Sequence, residues 1–219
     1  MSSDITLITR VIGSIEMAKS SLTVLPEGVT SLQGMSGVKF RCFLNNLMHG
    51  LSYLELGAWK GSTFISAVYK NMITSGYALA IDNFSEFNKD NDIKLALTQN
   101  CKKFLVNDER YEIIDASTDD FDIKSCDKRF DVFFYDADHH TAPTRDGITK
   151  FSELMHDTFV LIVDDYSWEN VKNGTEQAIK AISSKFEMVF KMSIGTEVNN
   201  DNMGWWNGVG VFIFKRKTP

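Results

Sequence analysis

Short runs of apolar residues alternate with amphipathic stretches along most of the chain. In the amphipathic stretches apolar residues recur every three to four positions, which is the spacing of one helix face. The apolar runs predict strands over 52–56, 77–81, 111–114, 132–135 and 159–163. The amphipathic stretches predict helices over 63–72, 92–105, 144–155 and 174–184. This alternation predicts a mostly parallel sheet that is covered by helices on both faces.

The two ends of the chain follow a different pattern. Apolar spacing predicts a helix within 1–20 and a second helical stripe over 40–48, and the Gly-, Pro- and Ser-rich segment 24–37 between them predicts a loop. Near the other end, 188–194 and 209–214 are strand-like runs with no helical stretch between them, so we expect them to pair antiparallel. We therefore predict an α/β fold with one doubly wound, seven-stranded, mainly parallel sheet and an antiparallel last strand.

The composition is that of an ordinary globular chain. With 219 residues, 43% hydrophobic and 24% charged, the chain can bury one core without disulfides. No repeat or linker divides it, so 1–219 is predicted as a single domain, with 1–50 supplying N-terminal helices and a loop and 51–219 the core. The formal net charge of -6 gives no basic face for a nucleic-acid partner.

The cysteines, and the lack of long apolar segments, indicate the cellular compartment that we expect for this sequence. The three cysteines form no CxxC pair and no disulfide framework, which suits a reducing environment. The sequence has no basic segment followed by a long apolar run near its start, and no run long enough to span a bilayer. We therefore expect a cytoplasmic protein with no membrane partner.

An acidic residue stands at the end of each of the five predicted parallel strands. These residues are Glu55, Asp82, Asp115, Asp136 and Asp164. Acids also favour turns and helix N-caps, which explains any single one of them. Because ligands of doubly wound sheets bind beyond the carboxyl ends of the strands, the whole row predicts a binding site there.

The segment after the first strand carries the most specific spacing. Gly57 and Gly61 lie four residues apart, and Ser62 follows at the start of a predicted helix. The spacing is not GxGxxG, and Lys60 precedes Gly61, so the segment is not a P-loop either. Asp82, at the end of the next strand, can accept both hydroxyls of a ribose, which NAD and S-adenosylmethionine (SAM) sites share. The glycine spacing therefore has to decide between the two cofactors, and it disfavours NAD.

Together these segments resemble a known family. Glu-x-Gly-x-x-x-Gly-Ser followed by Ala80-Ile81-Asp82 is similar to motifs I and II of class I SAM-dependent methyltransferases, which have a Rossmann-like fold. The stretches 134–140 and 163–166 resemble the metal-dependent O-methyltransferase branch, in particular the group that includes macrolide-sugar O-methyltransferases. Catechol and caffeoyl-CoA O-methyltransferases are more distant relatives. The resemblance runs from about residue 30 to the end of the chain.

The resemblance implies a SAM site. Glu55, Gly57 and Gly61 would line the methionine and ribose of SAM, and Asp82 would hold the ribose hydroxyls. A loop around Met35 resembles one that folds over the cofactor, although an ordinary surface turn explains it equally well. The implied cofactor-binding residues are Met35, Glu55, Gly57, Gly61, Ser62, Asp82, Asp115, Ala116 and Asp136.

The resemblance also implies a metal and a base. Asp136, Asp164 and Asp165 match the metal ligands of the family, and three carboxylates suit a hard divalent cation such as Mg²⁺. His139 stands where relatives place the base that takes the proton of the acceptor hydroxyl, and His140 competes for that role.

The implied activity is methyl transfer from SAM to a hydroxyl of a small-molecule acceptor, sugar or phenol-like. A peptide acceptor, a non-catalytic SAM-binding module and an NAD-dependent oxidoreductase on a similar sheet stay open as alternatives. The polar segment 199–206 contains Trp205 and Trp206. These indoles either stack on the acceptor as part of a lid, or cover the sheet or a contact in a homo-oligomer.

Overall fold

The computed structural model describes residues 3–71 (side chains from residue 5), 77–86, 92–106, 110–195 and 201–218. The α-helices of this part of the chain are α1 (Ser3–Lys19), α2 (Glu27–Thr30), α3 (Val38–Leu47), α4 (Ser62–Val68), α5 (Ile93–Phe104), α6 (Thr141–Phe151) and α7 (Glu169–Ile182). The strands are β1 (Tyr53–Leu56), β2 (Ala78–Asp82), β3 (Tyr111–Asp115), β4 (Phe130–Tyr135), β5 (Met155–Val163), β6 (Phe186–Ile194) and β7 (Val209–Arg216). No helix within these ranges is long and apolar enough to cross a membrane.

The seven strands form one sheet in the order β3-β2-β1-β4-β5-β7-β6. Neighbours from β3 to β5 are parallel, and β7 runs antiparallel to both β5 and β6. The predicted sheet and the predicted antiparallel pairing at its end are confirmed. The strand order reverses between β1 and β4, which lie side by side, so the carboxyl ends of these two strands open a crevice.

Apolar side chains cover both faces of the sheet. Tyr53 and Phe134 face one core, which α1, α3 and α4 complete. Leu54 and Phe133 face the other core, beneath α6 and α7. All four side chains are fully buried. Because burial on two faces fixes the register of the central strands, it also fixes which residues emerge at their carboxyl ends.

Several predicted boundaries were wrong. The helix predicted over 144–155 runs from Thr141 to Phe151, a 3₁₀ turn follows over Ser152–Leu154, and Met155 already begins β5. Phe151, Leu154 and Met155 are all buried, so the apolar pattern continues through a turn that is not helical. In the same way, α2 lies inside the segment 24–37 that was predicted as a loop.

The helix predicted to begin at Gly174 begins five residues earlier, at Glu169. Gly174 is an internal residue of α7, where a Cβ would lie 2.6 Å from the carbonyl oxygen of Thr141. The glycine therefore allows α7 to pack closely against α6 and does not mark a helix end. The helix predicted over 63–72 is observed as Ser62–Val68, and residue 72 lies outside the described residues.

Candidate functional site

A cleft of about 270 Å³ opens at the carboxyl ends of β1, β2, β3 and β4. Six of the predicted site residues line it: Met35, Gly57, Asp82, Ala116, Asp136 and His139. Trp59, which the sequence reasoning passed over, lines it as well. The cleft therefore lies at the topological switch point, where ligands of doubly wound sheets bind.

The glycine loop follows β1. Gly57 has a φ of +86°, and a Cβ there would overlap the backbone carbonyl oxygen of Asp136 after β4. Gly57 is thus required because the ends of two strands approach each other closely there. This packing reason is separate from any need for the backbone to pass close to a ligand. Gly61 has the same φ, and a Cβ there would overlap Leu97 of α5. Gly61 and Ser62 form the start of α4.

Asp82 binds the glycine loop through its carboxylate. Its Oδ2 accepts a hydrogen bond from the backbone N–H of Trp59 at 2.7 Å, and its Oδ1 accepts one from the N–H of Phe84 at 2.6 Å. A carboxylate has about four acceptor sites, so both oxygens can still accept hydroxyl donors from the cleft.

Glu55 lies beneath the glycine loop and is fully buried. It accepts hydrogen bonds at 2.6 Å from the hydroxyls of Tyr53 and Thr63. Burial raises the pKa of Glu55 to about 8, although both hydrogen bonds favour the charged form. Because Thr63 belongs to α4, Glu55 fixes the helix start that follows the loop. It is not one of the residues that line the cleft.

The loop that carries Met35 is held by Arg41, which is 3% exposed. The Arg41 guanidinium donates hydrogen bonds to the Oγ and carbonyl oxygen of Ser36 at 2.9 and 3.0 Å, and to the carbonyls of Leu32 and Thr30 at 2.8 and 3.1 Å. Burial lowers the pKa of Arg41 to about 10. The sequence signal for this role was a charged residue inside the apolar stripe 40–48, and the sequence reasoning missed it.

The end of β3 contributes backbone and small side chains to the cleft. Ala116 lines the cleft, and its N–H donates to the carbonyl oxygen of Asp82 at 3.2 Å. The carboxylate of Asp115 instead pairs with Lys94 at 2.9 Å, and its side chain is 49% exposed. Of these two implied cofactor-binding residues, the structure thus brings Ala116 to the cleft, but not the side chain of Asp115.

Acidic groups and a histidine meet at the other side of the cleft. His139 Nε2 lies 2.8 Å from Asp165 Oδ2 and 3.8 Å from Asp136 Oδ1, and one ligand atom from each of the three residues lies within 4.8 Å of the others. Asp164, the third predicted ligand, is not one of these three residues; it precedes Asp165 in the chain and is 3% exposed. Its Oδ1 is buried and has no hydrogen-bond partner among the described residues. We call Asp136, His139, Asp164 and Asp165 the acidic cluster.

The acidic cluster is strongly coupled electrostatically. Burial raises the pKa of Asp136 to about 7, and the charge of Asp165 adds to this effect. Burial also raises the pKa of Asp164 well above its ordinary value, with further contributions from Asp136 and Asp165. Burial alone would lower the pKa of His139, but the two carboxylates beside it outweigh this and raise the pKa to about 10. The acidic cluster therefore tends to stay protonated near neutral pH. A divalent cation can take the place of these protons.

The two candidate bases occupy different environments. His139 lines the cleft, and its ring centroid lies 5.2 Å from that of Trp168. The side chain of His140 is 80% exposed, and its Nδ1 lies 2.7 Å from Asp138 Oδ1. His140 is not among the residues that line the cleft.

The segment that contains the two tryptophans is described from Asp201 onward, and Asn199 and Asn200 lie outside the described residues. Trp205 packs on the core beside Phe43, with ring centroids 6.1 Å apart. This contact favours the interpretation that Trp205 covers the sheet. Neither Trp205 nor Trp206 lines the cleft.

No model of a known protein family matches the sequence, and no curated protein matches it. Solved structures do share its fold. The SAH-bound methyltransferase PaMTH1 from Podospora anserina is 14% identical with a TM-score of 0.57, over 95% of this chain and 88% of that one. A candidate O-methyltransferase from Klebsiella pneumoniae is 15% identical with a TM-score of 0.54, over 97% and 90%.

A candidate RNA methyltransferase from Pyrococcus horikoshii is 14% identical with a TM-score of 0.56, over 92% of this chain and 94% of that one. At such identities the likeness concerns the fold. The chain therefore has the Rossmann-like fold of class I methyltransferases, in agreement with the fold that the sequence predicted.

Proposed function

We propose that the protein transfers a methyl group from SAM to a hydroxyl of a small-molecule acceptor, sugar or phenol-like, with a divalent cation at the acidic cluster. One observation carries this proposal. A single cleft is lined by Gly57, Asp82 and Ala116 on the side of the predicted cofactor, and by Asp136 and His139 on the side of the acidic cluster. A methyl donor and a hydroxyl acceptor need such adjacent positions to react.

The cofactor side of the cleft offers what SAM requires. Asp82 can accept hydrogen bonds from the two ribose hydroxyls, Ala116 offers a small apolar wall for the adenine, and Met35 also lines the cleft. Arg41, which is not among the residues that line the cleft, holds the Met35 loop through Ser36. Glu55 supports the glycine loop from below. The methyltransferase fold, which SAH-bound PaMTH1 shares, supports the same cofactor.

The residues of the acidic cluster fit a hard divalent cation such as Mg²⁺. Asp136, Asp164 and Asp165 would hold it, and the unpartnered Oδ1 of Asp164 is an oxygen donor that the described protein groups leave unused. When bound, the cation would lower the pKa of the acceptor hydroxyl and orient it. Burial, and to a smaller extent repulsion between the carboxylates, raises the pKa values of Asp136 and Asp164, and a bound cation would offset both effects.

His139 would take the proton of the acceptor hydroxyl at Nε2. It can do so only while its imidazole is neutral, and Asp136 and Asp165 stabilise the imidazolium as long as their charge is not compensated. The proposal therefore links the base to the cation, because neutralising the carboxylates releases the imidazole. Trp168 beside His139 would form part of the acceptor wall.

The net charge of -6 favours a small acceptor over RNA, which is the substrate type named for the Pyrococcus horikoshii protein. The test is formation of S-adenosylhomocysteine from SAM in pools of sugars, phenols, peptides and RNA, with Mg²⁺ or with EDTA. We expect turnover with a sugar or phenol pool and its loss in EDTA. Turnover with RNA alone would overturn the acceptor class, and turnover unchanged by EDTA would overturn the role of the cation.

Once an acceptor is found, variants separate the roles within the acidic cluster. His139→Ala should lower kcat by about a hundredfold or more, the usual contribution of a general base, and should leave SAM affinity intact. Asp165→Ala should abolish the metal-dependent turnover. His156→Ala is the matched control, since His156 is exposed near the amino end of β5, away from the cleft. A His139→Ala enzyme as fast as the wild type across neutral pH would disprove the base.

A further inference from the structure

Asn207 lies two residues before the start of β7 and is 4% exposed. Its Nδ2 donates a hydrogen bond to Asp165 Oδ1 at 2.7 Å. Its backbone carbonyl accepts from the N–H of Ser167 at 3.1 Å, and the carbonyl of Gly208 accepts from the N–H of Tyr166 at 3.0 Å. Because β5 and β7 are antiparallel neighbours, the residues before β7 lie against the loop after β5 and hold it at three points.

The side chain that Asn207 holds needs support. Asp165 has a φ of 50°, in the left-handed region that is costly for a residue other than glycine. Each oxygen of its carboxylate has a separate neighbour: Oδ1 accepts from Asn207, and Oδ2 lies 2.8 Å from His139 Nε2. By holding one oxygen, the Asn207 amide fixes the orientation of the Asp165 carboxylate, so that the other oxygen faces His139.

An amide is a suitable donor for this task. A lysine or arginine in its place would orient Asp165 equally well, but its charge would oppose a cation at the cluster. The amide orients the carboxylate and leaves its negative charge available. Among the described residues the Asn207 side chain has one hydrogen bond, the one to Asp165, and its own Oδ1 is buried without a partner. A substitution of Asn207 therefore perturbs Asp165 selectively.

We infer that Asn207 is a positioning residue of the proposed metal centre, which sets the affinity for the cation by fixing the Asp165 carboxylate. The inference rests on the proposed function, since it assumes that the acidic cluster binds a divalent cation. Residues that orient metal ligands typically contribute about 10–100-fold to metal affinity. Asn207 would act in this way from the segment before β7, which supplies none of the proposed ligands.

The test is Mn²⁺ binding to the protein alone, measured by electron paramagnetic resonance of the free ion together with calorimetry. Asn207→Ala should raise the Kd for Mn²⁺ by about 10–100-fold. Asn45→Ala is the matched control, because Asn45 is 2% exposed and its amide bonds the carbonyls of Ser66 and Tyr69, away from the cluster. It should lower the Tm and leave the Kd unchanged. Asp165→Ala and the double variant Asp165→Ala/Asn207→Ala should bind Mn²⁺ equally weakly.

The Mn²⁺ titrations distinguish a failure of the proposed metal site from a failure of the role assigned to Asn207. A wild-type protein that binds no Mn²⁺ overturns the metal part of the proposed function, and this inference with it. Normal binding by the wild type and an unchanged Kd in Asn207→Ala overturn this inference alone and leave Asn207 a purely structural residue. Should Asn207→Ala fail to fold, Asn207→Ser takes its place, since the serine hydroxyl is too short to restore the contact and the same rise in Kd is expected.

Discussion

The carboxyl group of Glu55 is fully buried, and burial favours its protonated form in the folded protein. Burial raises its pKa to about 8 from an ordinary value of 4.5, against the hydrogen bonds from Tyr53 and Thr63. In that interval the folded protein binds a proton that the unfolded chain releases. The contribution of Glu55 to stability is therefore fully present below pH 4.5 and is lost as the pH rises through about 8.

Glu55→Gln should remove this pH dependence. The difference in the free energy of unfolding between the variant and the wild type should move in favour of the variant as the pH rises from 5 to 8. The slope for one proton is at most about 1.4 kcal/mol per pH unit. Urea unfolding of both proteins at several pH values measures it. A difference that stays constant over this range would mean that Glu55 is ionised throughout.

At the scale of elements, the ends of β1 and β4 approach each other so closely that only glycine fits between them. Gly57→Ala would force a Cβ onto the Asp136 carbonyl at a φ of +86°. We expect a loss of more than about 1 kcal/mol in the free energy of unfolding and weaker SAM binding, because Asp136 and the glycine loop must separate.

The control for this prediction is Gly13→Ala. Gly13 is exposed in α1, and a Cβ placed there would meet no described atom within 4 Å beyond its chain neighbours and the backbone of its own helix, so the variant should be more stable by about 0.5–1 kcal/mol. Chemical denaturation of both variants makes the comparison. Equal stability changes at the two glycines would contradict the close packing that we assign to Gly57.

For the molecule as a whole, the sheet followed from local patterns and parts of the site did not. Apolar runs and amphipathic stretches were sufficient for the seven strands. Five of them, β1, β2, β4, β5 and β7, are buried along most of their length, whereas β3 and β6 at the sheet edges are largely half-buried or exposed. The acids at the strand ends could also be located, since they directly follow those runs. Their predicted roles toward SAM and a cation stay predictions.

Contacts between distant segments could not be predicted. Asn207 and Asp165 are 42 residues apart and meet only because β5 and β7 pair. The hydrogen bonds of Arg41 depend on the path of the loop before α3. Gly174 resembled a helix boundary because its packing partner lies on another helix. In each case the role of the residue depends on a neighbour that is distant in sequence, so the sequence alone could not predict it.

The central claim is that the cleft binds SAM through Asp82, and calorimetric titration of SAM into the protein tests it most directly. The wild type should bind SAM and not NAD. Asp82→Ala should bind about tenfold or more weakly, since hydrogen bonds to a charged group contribute about 1.5–3 kcal/mol. Asp157→Ala should bind like the wild type, because Asp157 pairs with Arg216 near the amino end of β5. Absence of SAM binding to the wild type, or equal affinity in Asp82→Ala, would contradict the claim.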